Sequence, residues 1–347
     1  TSGMSSSARS GKVRRKSREW SLPASCKRSS SDSVVAYSPF VARMLEGDIR
    51  SLGRVITAIE NGTPDGYAYL RELYPLGGKS QVVGITGPPG AGKSTIVDCF
   101  ARSLRKRGKR VGIVAVDPTS PFSGGALLGD RIRMQRLYTD PGIFIRSMAT
   151  RGSTGGLAQT SLDVVDAMSA ASFDVILVET IGIGQDEVDV IRAVDTVIVV
   201  LVPGLGDDIQ ALKAGMMEIG DIFVVNKADR EGVNRTVLEI QGMLEMGGER
   251  PWIPPILQTV ASRDEGMEEV LSAISTHADF LSQTSAGEER CRAQAEFRLT
   301  RSLASRFTQR YRERLASESR WDGAVEKICQ REQDPHSLVD TLLKEVL

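Results

Sequence analysis

The chain has 347 residues, 41% of them hydrophobic, and 44 basic side chains balance 44 acidic ones to a formal net charge of zero. The length suits an α/β domain with helical additions. The charge balance gives no footprint for nucleic acid, and no apolar run approaches the ~20 residues that cross a bilayer, so neither nucleic acid nor membrane is an expected partner. Cys26, Cys99, Cys291 and Cys329 are scattered without a C-x-x-C pair, which reads as free thiols in a reducing, cytoplasmic compartment. His277 and His336 are the two histidines, too isolated for a nickel or zinc ligand set and expected at the surface.

Residues 1–37 form a Ser-, Arg- and Lys-rich tail whose composition favours disorder. Its low acid content also suits a mitochondrial transit peptide, which would move the chain to the matrix; Thr1-Ser2-Gly3 ahead of Met4 reads as a cloning scar. Ser38-Pro39 reads as an N-cap with Pro at the first helical position. Val41, Met44, Leu45, Leu52, Val55, Ile56 and Ile59 then recur at helical spacing, with Gly47-Asp48 as a break, and Pro64 opens another helix. Residues 38–78 are therefore expected to form a helical layer ahead of the main domain.

From 79 to 285, strands near 82–86, 111–116, 143–146, 174–178, 196–201, 222–225 and 256–260 alternate with helical patterns. That rhythm predicts an α/β fold with a mostly parallel sheet covered on both faces. Thr150 to Gly156 reads as a loop, either a partner-facing segment or the turn into a helix over 157–171. Residues 286–347 change character. Cys291, Ala295, Leu299, Leu303, Phe307, Tyr311 and Leu315 recur every four residues, a stripe that winds around a long helix because the turn is 3.6 residues. Such an arm packs on its own domain or on a second copy, and shorter helices are expected over 323–331 and 335–346.

The chemistry is concentrated in the main domain. Gly87, Gly92, Lys93 and Ser94 meet the pattern G-x-x-x-x-G-K-[ST] directly after the first strand. The segment Gly87, Pro88, Pro89, Gly90, Ala91, Gly92, Lys93, Ser94, Thr95 predicts a loop whose backbone N–H groups cradle phosphates at a helix N-terminus. Lys93 would reach the β- and γ-phosphates, and Ser94 would offer its hydroxyl to Mg²⁺. Downstream, a buried strand ends in Asn226-Lys227-Ala228-Asp229. A carboxylate at Asp229 can take both N1–H and N2–H₂ of guanine, whereas adenine would leave it unpaired. Asn226 and Lys227 would brace that loop, and the N–H of Ala261 would meet guanine O6. Asp117, Asp130 and Glu179 are the acidic metal candidates beside Ser94, at or near strand ends that face the ligand crevice of such sheets; Asp130 also reads as a helix cap.

Taken together these segments resemble one family. Val116-Asp117-Pro118-Thr119-Ser120, Ser123 to Arg131, and Glu179-Thr180-Ile181-Gly182-Ile183-Gly184-Gln185 are similar to the MeaB type of P-loop GTPase, of the class that includes metallochaperone and signal-recognition GTPases. This type is the methylmalonyl-CoA-mutase-associated GTPase, also called ArgK or the LAO/AO transport ATPase. The resemblance spans roughly residues 38–347. It implies a GTP-hydrolysing chaperone that gates cofactor loading and protects an adenosylcobalamin-dependent acyl-CoA mutase, with GTP/GDP and Mg²⁺ as cofactors. It further implies an adenosyltransferase as a second partner and a homodimer joined through the C-terminal arm. Ser94, Asp117, Asp130 and Glu179 fall on the family's Mg²⁺ positions.

Lys213, in the stretch Pro203 to Lys213, falls where the family has a lysine that couples a switch to the nucleotide, although Leu205, Asp208 and Ala211 depart from the family's commoner text. Gln185 is the candidate to orient water, or else a hinge. Arg131, Arg133 and Arg151 are candidate arginine fingers, and none is assignable. The implied switch is slow alone and accelerated by its partner. Arg146-Ser147-Met148-Ala149-Thr150 replaces the family's R-P-S-P-T segment. Three rival readings remain at this level: a maturation GTPase of the urease or hydrogenase type, a transport-associated ATPase or kinase, and a nucleotide-gated scaffold with negligible hydrolysis.

Overall fold

The structure is a computed structural model, and it describes residues 37–117, 137–149, 156–180, 189–204, 216–248 and 250–344. Seven strands, β1 (Gln81–Thr86), β2 (Val111–Asp117), β3 (Ile143–Ala149), β4 (Val175–Thr180), β5 (Thr196–Leu201), β6 (Ile222–Asn226) and β7 (Ile256–Thr259), form one sheet in the order β3-β2-β4-β1-β5-β6-β7. Every pairing in it is parallel. The third strand runs three residues past the predicted 143–146, because Ser147, Met148 and Ala149 pair in register with Ala115, Val116 and Asp117.

The strands are apolar on both faces, and successive side chains feed two separate cores. Ile176, Val178, Val197, Val199, Phe223 and Val225 point to one side, where they meet α1 (Pro39–Leu45), α2 (Ile49–Glu60), α5 (Gly156–Ala170) and α7 (Val233–Met246). Val175, Leu177, Ile198, Val200, Ile222 and Val224 point to the other, against α4 (Lys93–Lys106) and α8 (Met267–Gln283). A strand with both faces covered has no polar face, which is why these runs lack the alternation of a half-exposed sheet. A short α6 (Met216–Ile219) precedes β6.

The N-terminal helices pack as a layer on the first core. Asp48 caps α2, accepting from the N–H groups of Arg50 and Ser51 at 3.0 and 3.2 Å. Thr63 caps α3 (Pro64–Leu73) in the same way through Gly66. Ser38, expected to cap α1 with its side chain, does not; its N–H donates to Glu72 at 2.9 Å. Arg146 of β3 pairs with the buried Glu60 of α2 and donates to Thr57 at 3.2 Å, so the arginine that opens the altered R-P-S-P-T segment anchors the helical layer to the sheet edge.

The arm is α9 (Ser285–Ser317), followed by α10 (Arg320–Cys329) and α11 (Pro335–Leu343). Polar side chains, arginines above all, hold it to its own domain, with Gln294 donating to the carbonyl of Val194 at 2.7 Å. Arg290 makes two bonds to Asp221, at 3.0 and 2.7 Å. Arg298 lies against Asp166 and Asp163 of α5, and Arg301 pairs with the buried Asp189. Leu299 and Leu303 stay 70% and 66% exposed, so the middle of the stripe does not pack on this protomer.

His277 corrects the surface expectation for the histidines. It is 1% exposed on α8, its Nδ1 is 2.9 Å from Thr196 Oγ1, and its ring lies against Trp252. Burial lowers its pKa to about 4, so it is a neutral core residue at physiological pH. No helix among the described residues is long and apolar enough to cross a membrane.

Candidate functional site

The site lies where the carboxyl ends of β1, β4, β5 and β6 converge, the ordinary ligand position of an open parallel sheet. β1 ends at Thr86 and α4 starts at Lys93, so residues 87–92 form a tight connecting loop. Two of its glycines are forced. Gly87 has φ +141°, and a Cβ there would stand 2.1 Å from the carbonyl oxygen of Val200. Gly92 has φ +92°, and a Cβ would meet Asn226 Nδ2 at 2.3 Å. Any side chain at either position would push the loop off the strands beneath it. Lys93 is 5% exposed and curls back under the loop, its Nζ donating to the carbonyls of Gly87 at 2.7 Å and Pro88 at 3.0 Å. Its charge is thereby held on the axis of the loop, where phosphate oxygens would lie.

Beside it, Ser94 Oγ donates to Glu179 Oε1 at 2.5 Å. Glu179 is 4% exposed at the end of β4, in register with Ile85 and Ala115. Two adjacent hard oxygens under a phosphate loop fit a Mg²⁺ ion, which takes few protein ligands and keeps its waters. Asp117 ends β2, one residue beyond the Val116–Thr180 pair, so its backbone lies at the same end of the sheet as Glu179. Its side chain lies outside the described residues, as do Asp130, Gln185, Lys213 and the three candidate arginine fingers. Among the described residues, no group of three or more His, Cys, Asp or Glu could hold a metal.

The second half of the site is bolted to the first. Asn226 is 3% exposed, and its Nδ2 donates to the carbonyl of Ala91 at 2.8 Å. Its Oδ1 accepts from Thr259 Oγ1 and from the N–H of Ala261, both at 3.1 Å. Lys227, at φ +59°, donates from Nζ to the carbonyl of Gly90 at 2.8 Å. Three loops, at 87–92, 226–229 and 259–263, thus share one hydrogen-bond network. Ala261 also braces the loop, since its N–H donates to Asn226 Oδ1. Asp229 is part-exposed, with Arg263 at 3.5 Å, which leaves a carboxylate at the rim able to accept from two donors.

Residues that the sequence did not single out complete the brace. Cys99, on α4, donates from Sγ to the carbonyl of Ala261 at 3.2 Å. Burial, with the neighbouring Asp264 carboxylate, pushes its thiol up to about 12, so it is an inert packing group. Arg102, three residues along the helix, grips Asp264 at 3.0 and 2.8 Å and also reaches Asp98 at 2.8 Å. The hydrogen bonds from Arg102 above all hold Asp264 down at about 2. The phosphate-loop helix therefore carries the 261–264 turn on its own side chains. Thr180 Oγ1 donates to Thr86 Oγ1 at 3.1 Å, tying β4 to β1 where both strands leave the sheet.

Comparison with known proteins places this geometry. The family model described as methylmalonyl-CoA mutase-associated GTPase MeaB matches residues 52–316. A Pyrococcus abyssi protein named as a GTPase is 46% identical over 311 residues, covering 88% of this chain and 96% of its own. GTPase ArgK of Escherichia coli is 36% identical over 245 residues, 67% of this chain and 73% of its own. The mitochondrial methylmalonic aciduria type A homolog of Mus musculus is 38% identical over 193 residues, 54% of this chain and 46% of its own. A crystal structure of LAO/AO transport system kinase shares the fold with a TM-score of 0.66, at 24% identity, across 90% of this chain and 99% of that one. A phosphate loop locked to an N-K-x-D loop, inside a match that covers most of the chain, leads to one conclusion: the chain belongs to the MeaB family of methylmalonyl-CoA mutase-associated GTPases, enzymes that bind guanine nucleotide and hydrolyse GTP.

Proposed function

We propose that this GTPase is a nucleotide-gated chaperone of an adenosylcobalamin-dependent acyl-CoA mutase, methylmalonyl-CoA mutase or a close relative. It gates loading of the cofactor, delivered by an adenosyltransferase, and protects the mutase from inactivation. The reading rests on the family match across residues 52–316, whose description ties the family to methylmalonyl-CoA mutase. It works as a homodimer through the arm, in the cytoplasm; the matrix is the alternative, in line with the mitochondrial mouse relative.

In this reading the amides of residues 87–95 and Lys93 hold the triphosphate, and Asn226, Lys227 and Asp229 position guanine. Ser94 and Glu179, with Asp117 and Asp130, would hold Mg²⁺, which when bound neutralises charge on the β- and γ-phosphates. Gln185 orients the attacking water. Attack breaks the bond between the γ-phosphorus and the β–γ bridging oxygen, and the electron pair leaves on GDP. Lys213 couples that change to the partner-facing segment.

The test is steady-state GTP hydrolysis with and without purified methylmalonyl-CoA mutase and, in parallel, with the other acyl-CoA mutases. Acceleration of ten-fold or more, on the order of 1.4 kcal/mol of barrier, is expected with the cognate mutase. An unchanged rate with every mutase would overturn the regulated chaperone while leaving the GTPase intact.

A further inference from the structure

A cleft of about 340 Å³ lies between α3 and the arm α9, lined by Tyr67, Arg71, Arg306, Gln309, Arg310 and Glu313. Its size falls within the ~300–1,000 Å³ typical of small-ligand sites. Its charge is unusual for this arm. Elsewhere on α9, Arg290, Arg292, Arg298, Arg301 and Arg314 each hold a carboxylate, and Arg312 lies over the ring of Trp321. Arg310 and Arg71 hold none among the described residues, and Arg306 spends its guanidinium on the face of Tyr67, 5.0 Å from the ring centre.

Arg306 and Arg310 are one helical turn apart, so they share a face of α9, and Arg71 approaches from α3 across the cleft. The carboxylate that lines the cleft, Glu313, already accepts from Gln309 Nε2 at 2.9 Å on its own helix. Three exposed arginines therefore line one cleft with a single carboxylate among the lining residues to offset them. Guanidinium forks match the oxygens of phosphate in pairs, and they are the side chains best suited to it where the site is partly open to water. Tyr67 fixes Arg306 in place, so one fork is already oriented before any ligand arrives.

We propose that the α3–α9 cleft is a second, nucleotide-independent anion site, which takes a phosphate or diphosphate group through Arg71, Arg306 and Arg310. The group is either a free inorganic anion or the phosphate end of a small organic molecule. The site is remote from the phosphate loop in sequence and lies on the seam between the helical layer and the arm, so its occupancy would clamp the two together.

The test uses the full chain saturated with GDP and Mg²⁺, so that the phosphate loop is filled. Pyrophosphate and inorganic phosphate are titrated calorimetrically, with magnesium matched in cell and syringe. One pyrophosphate is expected to bind, and Arg71→Ser and Arg310→Ser are each expected to weaken it by at least about ten-fold, with Arg310→Lys retaining part of the affinity. GTPase rate and thermal midpoint of the variants should stay at wild-type values, which separates loss of the site from loss of the fold. Tighter binding of a phosphate-bearing small molecule such as pantetheine phosphate than of pyrophosphate would assign the organic source; the reverse would assign the free anion. No heat in the GDP-saturated wild type, or equal heat in the serine variants, overturns the proposal. So does a glutamate-rich peptide that binds more tightly than pyrophosphate, or a change in particle mass in the variants without loss of anion affinity.

Discussion

Asn226 holds the two halves of the nucleotide site together, and its removal should be costly in a way that can be apportioned. Asn226→Ala deletes an acceptor that serves Thr259 Oγ1 and the Ala261 N–H, and a donor that serves the Ala91 carbonyl. The residue is 3% exposed, so little water replaces it. At ~1 kcal/mol net per buried hydrogen bond, the three together come to about 3 kcal/mol. Expressed wholly in folding, that lowers Tm by roughly 6–12 °C for a domain of this size. Expressed wholly in binding, it weakens GDP by about 150-fold. A nucleotide must span both loops, so it has to impose the alignment that Asn226 supplies beforehand, and most of the loss should appear as affinity. Calorimetry with GDP and Mg²⁺, beside thermal unfolding of the protein alone, reads both portions. Thr259→Val removes one of the three bonds and should cost roughly five-fold. Should Asn226→Ala bind GDP within about three-fold of wild type and keep its Tm within about 2 °C, the bonds are incidental and the lock does not exist.

The other predictions concern the base, the buried histidine and the arm. Asp229→Asn exchanges a double acceptor for an amide with one acceptor oxygen and an NH₂ donor, so GTP affinity should fall by about 100-fold or more while xanthosine triphosphate, which carries an oxygen at C2, gains; competition binding would decide, and unchanged guanine preference would remove Asp229 from the base site. His277 has a folded pKa of about 4 against 6.5 unfolded, so below pH 6.5 the unfolded chain takes a proton that the fold refuses. Stability on this account is full above pH 6.5 and declines as pH falls towards 4, by roughly 3 kcal/mol in total. His277→Gln should flatten that limb in pH-dependent denaturation, and an unaltered slope would show that other groups set it. Leu299→Asp with Leu303→Asp places two charges on the exposed stripe of α9; if the proposed dimer forms through the arm, light scattering should report a dimer for wild type and a protomer for the variant, and equal masses for the two would refute that contact.

Much of the architecture was legible because it rests on local pattern. Continuous apolar runs, spaced by helical stretches, specify buried parallel strands whatever their eventual order. The loop at 87–92 was equally legible as a tight strand-to-helix turn, since glycine is required where the chain bends closely over its neighbours; Gly87 and Gly92 show the contact that any other residue would make. Asn226 and Asp229 were visible for the same reason, as a fixed spacing at a strand end. The arm was visible as a helix, but its means of attachment was not. Its apolar stripe suggested a packed face, whereas Arg290, Arg298 and Arg301 make the contacts with the domain.

What the sequence determined by itself was the set of elements and the chemistry that each loop could offer, because backbone freedom and hydrophobic period act over a few residues. What only the tertiary structure decided was which distant groups meet. The Ala261 N–H came to bond Asn226, His277 went into the core between β5 and the Trp252 ring, and Cys99 and Arg102 came to hold a turn more than 160 positions away. Such pairings depend on strand order and on the angle at which a helix crosses the sheet. No short window of residues encodes either, since both emerge when two hydrophobic faces are buried at once.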